Sequence, residues 1–369
     1  MTAQPTTAFQ EAPSTDLVPY VAPAHAIPLR SSERPVEALS PEQAARLHFH
    51  VVNARSAATN LAYGRQWKAF CTWAAAERLT PFPASSEIVI LYLDYLVSTG
   101  LRGSSVNQAL AAIRAVHHDH DDYPGARDTL TVLSSRRVTN AVASLHRVIG
   151  ANGGNRVAKP RAFSQGEVTS MAVSCSASPS GIQDRAVLLL GVNSGLRASE
   201  LVALRISDLT FDEHGVDLFI KNSKTDQLGV GETVFVGRLP AHQALLCPVR
   251  AMEKHIAKNR PLAAPSAPLF IAFRRGGTTP HLIAGATHGL TREAITNLVV
   301  RCVARAELPP SMQPASSHSL RHTFITQAFA RGVSPVDIAR VSRHRSMTVL
   351  AGYNQTDRRD AAVSPRLWT

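Results

Sequence analysis

The stretch that most constrains this chain is Ala186-Val187-Leu188-Leu189-Leu190, five apolar residues in succession. Ser180-Gly181-Ile182-Gln183 before them reads as a capping box, and Asn193-Ser194-Gly195-Leu196 after them reads as a helix stop. A helix that is apolar on every side cannot lie on a surface, so it must run through the middle of a domain. The flanking sequence supplies elements to cover it. Ser164-Gln165-Gly166-Glu167 is a second capping-box signature, opening a helix just upstream. Residues 216–220 and 232–236 alternate as two strands, with Lys221 to Asp226 running toward their turn. Helical patterns follow at 248–258 and 291–306, and another starts at Ser317 and stops at Gly332. Ser334-Pro335 opens one more, and Ser346 caps a last short helix that ends near Tyr353.

The other half of the chain is set apart by a Gly- and Asn-rich linker at 149–160, which carries Arg156 and Lys159 and is followed by Arg161. Upstream, residues 41–148 read as a helical bundle. Pro41 sits at a first helical position. Leu61, Trp67, Phe70, Cys71 and Ala74 mark the apolar face of a helix whose polar face carries Arg65 and Lys68. Ser85 or Ser86 starts the next, with Ile88, Leu91, Tyr92 and Tyr95 facing inward, and Ser104-Ser105 starts one through Ala109, Ile113 and Val116. Residues 1–40 are interrupted by six prolines and read as a flexible tail. The fold class expected is mainly α with a small β-sheet or hairpin region. An N-terminal helical bundle would precede a mixed domain at 161–369.

The net charge of +12 points to a polyanionic partner, nucleic acid before membrane. No apolar run is long enough to span a bilayer. The start lacks a basic segment followed by an apolar block, so a cytoplasmic protein is expected. Cys71, Cys175, Cys247 and Cys302 lie far apart in sequence and read as reduced thiols. The run His117-His118-Asp119-His120-Asp121-Asp122 resembles a metal site at first sight. Contiguous ligands point in too many directions for one ion, so it reads instead as a polar turn, and no metal or cofactor is expected.

His318, Arg321 and His322 fall at i, i+3 and i+4, on one face near the start of a helix. Cations beside the positive end of a helix make sense facing an anion, and phosphate fits. Alone, each of these residues is equally a solvated surface group. The set in order is more specific. Gly195-Leu196-Arg197-Ala198-Ser199-Glu200-Leu201, a hairpin lysine, His318-x-x-Arg321-His322, His344 and Tyr353 together resemble the tyrosine recombinase (phage-integrase-type) family.

The resemblance implies that Tyr353 is a nucleophile attacking a DNA phosphodiester. Arg197 and Arg321 would hold the phosphoryl oxygens, and His344 would donate to one of them. Lys224 would be the general acid, preferred over Lys221 on the same hairpin, and His318 would take or position the nucleophile's proton. Glu200 would orient Arg197, and His322 would support the site. The family often places Gly just before this last histidine, and Arg343 stands there instead. Arg65, Lys68, Arg156, Lys159, Arg161, Arg343 and Arg345 are the expected contacts to double-stranded DNA. The resemblance also implies a homotetramer on paired DNA sites, exchanging strands without metal or ATP. Two rivals use the same residues: a type IB topoisomerase, and a DNA-binding architectural protein that no longer cuts.

Overall fold

The structure is a computed structural model that describes residues 54–120, 123–154, 159–221, 231–274, 276–283, 286–311 and 313–353, together with Glu42 and Arg46. Lys224, Arg156, the tail at 1–40 and the segment after Tyr353 lie outside the described residues. The chain divides into two compact units, 1–157 and 158–369.

The first unit is built from α1 (Ala57–Ala76), α2 (Ser86–Ser98), α3 (Gly103–Asp119), α4 (Ala126–Leu133) and α5 (Arg136–Ala151). Ser56 and Ser85 cap α1 and α2 by accepting from the N–H groups of Thr59 and Ile88. Trp67, Phe70, Tyr92, Leu93, Ile113, Leu133 and Val138 close the core. The inward stripe of α2 is Val89, Tyr92, Leu93 and Leu96. It is rotated from the expected 88/91/92/95 face, and Leu91 and Tyr95 are 55% and 44% exposed. Leu61, expected in the core, is 59% exposed.

The histidine run is corrected as well. It begins inside α3, not in a turn, and His117 is fully buried. Its Nε2 accepts from the N–H of Ala84 at 3.0 Å and its Nδ1–H donates to the Ile113 carbonyl at 2.8 Å. Burial holds its pKa down, so it serves as a neutral core hydrogen-bonding group. Helix α5 buries Leu145 and Ile149 and continues to Ala151, so it occupies the start of the expected linker.

The second unit wraps α7 (Pro179–Ser194). Ala186, Val187, Leu188, Leu189 and Leu190 each have no accessible surface. Its start differs from expectation. Ser178 is the cap and Pro179 the first helical residue, because Gln183 is used elsewhere. The Gln183 carboxamide bonds both the N–H and the C=O of Ile271, each at 2.8 Å. Helix α6 (Gln165–Ser174) has the expected Ser164–Glu167 capping box. After α8 (Ala198–Ala203), β1 (Leu209–Phe211), β2 (Gly215–Ile220) and β3 (Glu232–Gly237) form an antiparallel sheet in the order β1-β2-β3. Val216, Leu218, Ile220, Val234 and Val236 face the core, the alternation read from sequence. At three residues β1 is too short to show a period.

Helices α9 (Pro248–Asn259) and α10 (Arg292–Arg305) complete the shell around α7, with a short hairpin between them, β4 (Leu282–Ile283) and β5 (Ala286–Thr287). Helix α11 (Ser317–Ala330) crosses α7 where Gly191 permits close approach. A Cβ there would stand 2.6 Å from Leu320 Cδ1. Helices α12 (Pro335–Ser342) and α13 (Met347–Ala351) then pack on α11 through Ile325, Ile338 and Leu350. Among the described residues no helix is long and apolar enough to cross a membrane.

Candidate active site

The end of α7 fixes the first cation. Gly195 adopts φ +63°, and the chain turns at once into α8 with Arg197 as its N-terminal cap. Glu200, in the first turn of α8, is 2% exposed. It accepts from the backbone N–H of Arg197 at 2.7 Å and from Arg197 Nη1 at 2.8 Å. The carboxylate thus fixes both the helix start and the guanidinium.

Helix α11 brings the second cation. Ser316 rather than Ser317 occupies the cap position, because the Ser317 hydroxyl accepts from Thr296 on α10 at 3.0 Å. Arg321 is 4% exposed. Its Nη1 donates to the Gly195 carbonyl at 2.6 Å and its Nη2 to the Ser342 carbonyl, so both ends of the fork are aimed by backbone. Burial, then the nearby Arg197, lowers its pKa to about 10, and it stays charged at neutral pH.

His344 follows α12 in a left-handed turn and meets Arg321. Nη2 of Arg321 lies 3.1 and 3.2 Å from the two ring nitrogens. The Ser342 hydroxyl donates to the Ile338 carbonyl, which leaves its oxygen to accept from His344 Nδ1–H at 2.7 Å. The ring's pKa is lowered to about 4 by burial and then by Arg321, Arg197 and Arg343, so the imidazole is neutral at pH 7.

Tyr353 stands just past α13, whose start Ser346 caps as expected. Its ring is flanked edge-on by His344 and His322, with centroids 5.4 and 5.1 Å away. Its backbone carbonyl accepts from Thr326, and the Gly352 carbonyl accepts from Lys159 Nζ at 2.6 Å. His318, exposed at the edge, is held below its usual pKa by partial burial and by Arg321 and Arg197.

The structure therefore gathers Arg197, Glu200, Arg321, His344 and Tyr353 in one place, with His322 packed against the tyrosine. His322 is 1% exposed and bonded to the Pro160 carbonyl. Two of the expected DNA contacts are corrected. Arg343 is 6% exposed and bound to Glu200. Arg161 is 8% exposed and bound to Glu167 and to the Pro309 carbonyl. Neither guanidinium faces solvent. Arg65, Lys68 and Arg345 are exposed. Lys221 is engaged with the buried Asp208 at 2.8 Å. Ser342 was not legible as a site residue; its one signal was a hydroxyl two positions before the histidine.

A mainly helical unit of this kind, with two arginines, a histidine and a tyrosine brought together, is the architecture of a DNA strand-cleaving and rejoining enzyme of the tyrosine recombinase class. The chain belongs to the phage integrase family, whose model matches residues 161–359, and the family's N-terminal SAM-like domain matches residues 48–119. It is 26% identical over 294 residues to an integrase/recombinase XerD homolog of Selenomonas ruminantium, covering 79% of this chain and 80% of that protein. It is 25% identical over 315 residues to the tyrosine recombinase XerC of Pelobacter propionicus, covering 84% and 89%. The solved Tn1549 transposon integrase in complex with transposon right end DNA shares the fold. Its TM-score is 0.55 and its identity 15%, covering 88% of this chain and 98% of that one.

Proposed function

We propose that this protein is a site-specific DNA recombinase that cuts and rejoins strands through a 3′-phosphotyrosyl intermediate on Tyr353. The observation that carries the reading is the convergence of Arg321, His344 and Tyr353 behind Arg197. A phenol has a pKa near 10 and is a weak nucleophile at neutral pH. Two guanidiniums already aimed by backbone carbonyls and Glu200 cost little reorganisation when negative charge builds on the phosphoryl oxygens. Tyr353 Oη forms a bond to phosphorus, the bond from phosphorus to the 5′ oxygen breaks, and the leaving oxygen takes a proton. The ester formed replaces the ester broken, so a second strand's 5′ hydroxyl reverses the step without ATP.

His344 enters neutral. An anionic phosphate beside it would offset the three arginines and favour the protonated ring, which then donates to a phosphoryl oxygen. The general acid is Lys224, since Lys221 is held by Asp208. His318, also neutral, takes the phenol proton, and His322 packs against the tyrosine ring. Arg65, Lys68 and Arg345 contact phosphates, so affinity falls with salt. Lys159 and Arg156 extend that contact. Four protomers pair two sites and exchange strands in sequence.

The test is covalent trapping on nicked duplexes cut from the DNA flanking the protein's own gene, with metal and ATP withheld. An SDS-resistant adduct that is lost in Tyr353→Phe is expected. Specific binding with no adduct refutes the reading and favours an architectural role. Relaxation of supercoils without site preference favours a topoisomerase.

A further inference from the structure

Arg343 is the residue in this site that a simple phosphate-binding role cannot explain. It occupies φ +56°, ψ +49°, a left-handed conformation that glycine adopts freely and that a side chain with a Cβ resists. A large cationic residue kept there needs a compensating contact, and the structure shows one. Arg343 Nη2 reaches Glu200 Oε2 at 2.5 Å, with both side chains almost wholly buried. The same carboxylate oxygen also accepts the backbone N–H of Arg197. In return, Arg197 Nη2 donates to the Arg343 carbonyl at 3.2 Å. Two segments 146 residues apart are therefore tied twice, once through the Arg343 side chain and once through its backbone.

We propose that Arg343 is a positioning residue that straps the turn bearing His344, and through it α13 and Tyr353, to the helix start that bears Arg197. Glu200 is the shared buckle. One carboxylate cannot neutralise two guanidiniums, so the strap also leaves excess positive charge behind the phosphate seat. A glycine at this position would satisfy the turn but supply neither the arm nor the charge. The proposal rests on the recombinase reading for its catalytic consequence. The mechanical link it describes stands apart from that reading.

The test uses the full chain with Arg343→Gly and Arg343→Lys. Glycine relaxes the backbone, so any loosening comes from the missing arm. Lysine keeps the charge but loses the fork. Hydrogen exchange is read over 197–203 and 342–353, and adduct formation on the nicked duplex is read beside it. The strap predicts exchange at least about tenfold faster in both segments of the glycine variant, with partial recovery in the lysine variant. It also predicts adduct formation slowed by about 100-fold at unchanged salt dependence of DNA binding. Unchanged exchange in both variants overturns the proposal. A weaker salt dependence with normal exchange does so too, since Arg343 would then be a phosphate ligand. Should the glycine variant fail to fold, the lysine variant's exchange decides. Should the unsubstituted chain bind the duplex specifically and form no adduct, the recombinase reading falls, and the strap is judged on exchange alone.

Discussion

Arg161 separates two ways of using a basic residue, and Arg161→Met is the substitution that tells them apart. Its guanidinium bonds Glu167, donates to the Pro309 carbonyl at 2.9 Å and lies 5.5 Å from the centre of the Phe163 ring. Burial pushes the Glu167 carboxyl up, but the Ser164 N–H and Arg161 outweigh it and hold the pKa below its usual value. The two side chains are 10% and 23% exposed, so this is a largely buried pair. Methionine keeps most of the stem and leaves the carboxylate only its capping bond from the Ser164 N–H. Breaking a buried pair from one side costs about 3 kcal/mol at the low end of the range, appropriate to this residual exposure. For a unit of this size each kcal/mol moves the melting temperature by about 2–4 °C, so the drop should be about 6–12 °C. DNA binding should keep its salt dependence. A lost phosphate contact would flatten the slope of log K against log salt by about 0.9. Arg65→Ala and Lys68→Ala should show that flattening and little change in melting. Thermal melting and a salt titration on one duplex measure both. A flatter slope with an unchanged melt in Arg161→Met would refute the structural assignment.

Lys221→Ala should leave adduct formation near the unsubstituted level, because that ammonium is committed to Asp208. Lys224→Ala should slow adduct formation by about 100-fold or more, and the reverse pattern would exchange their roles. His255 is fully buried with a pKa lowered to about 4 by burial. The unfolded chain binds its proton near pH 6.5 and the native chain does not. Stability is therefore full above that value and is lost as pH falls from about 6.5 to 4, by up to ~3 kcal/mol for this group. His255→Asn should flatten that part of a melting-temperature profile against pH. Gly195→Ala should cost at least about 1 kcal/mol in a urea titration, because φ is +63° and the added Cβ would stand 2.7 Å from Phe324 Cδ1.

Much of this molecule was legible because it is local. A serine cap, a proline at a first turn, an alternating strand or an all-apolar helix expresses its geometry within a few residues. So the starts of α6, α12 and α13, the β2–β3 pairing and the burial of α7 follow from the letters around them. The order of Arg197, Arg321, His344 and Tyr353 was equally plain. Periodicity gives the angle of a helix face only loosely, which is why α2 is rotated from its expected orientation and Leu61 lies outside.

What sequence alone left undecided was the use of each charge. Arg65, Arg161 and Arg343 carry the same guanidinium, and nothing within a few residues says which one meets solvent. That depends on where a carboxylate arrives from elsewhere in the fold. Glu200 reaches Arg343 across 143 residues and turns an expected DNA contact into a buried tie. Glu167 meets Arg161 from only six residues away, but the Pro309 carbonyl that completes the tie comes from 148 residues on. Ser342 fixes the ring of His344 only because α12 ends against α11. The sequence determined which chemical groups the site contains. The tertiary structure decided which of them face the phosphate and which hold the others in place, because burial and partnership are properties of packing.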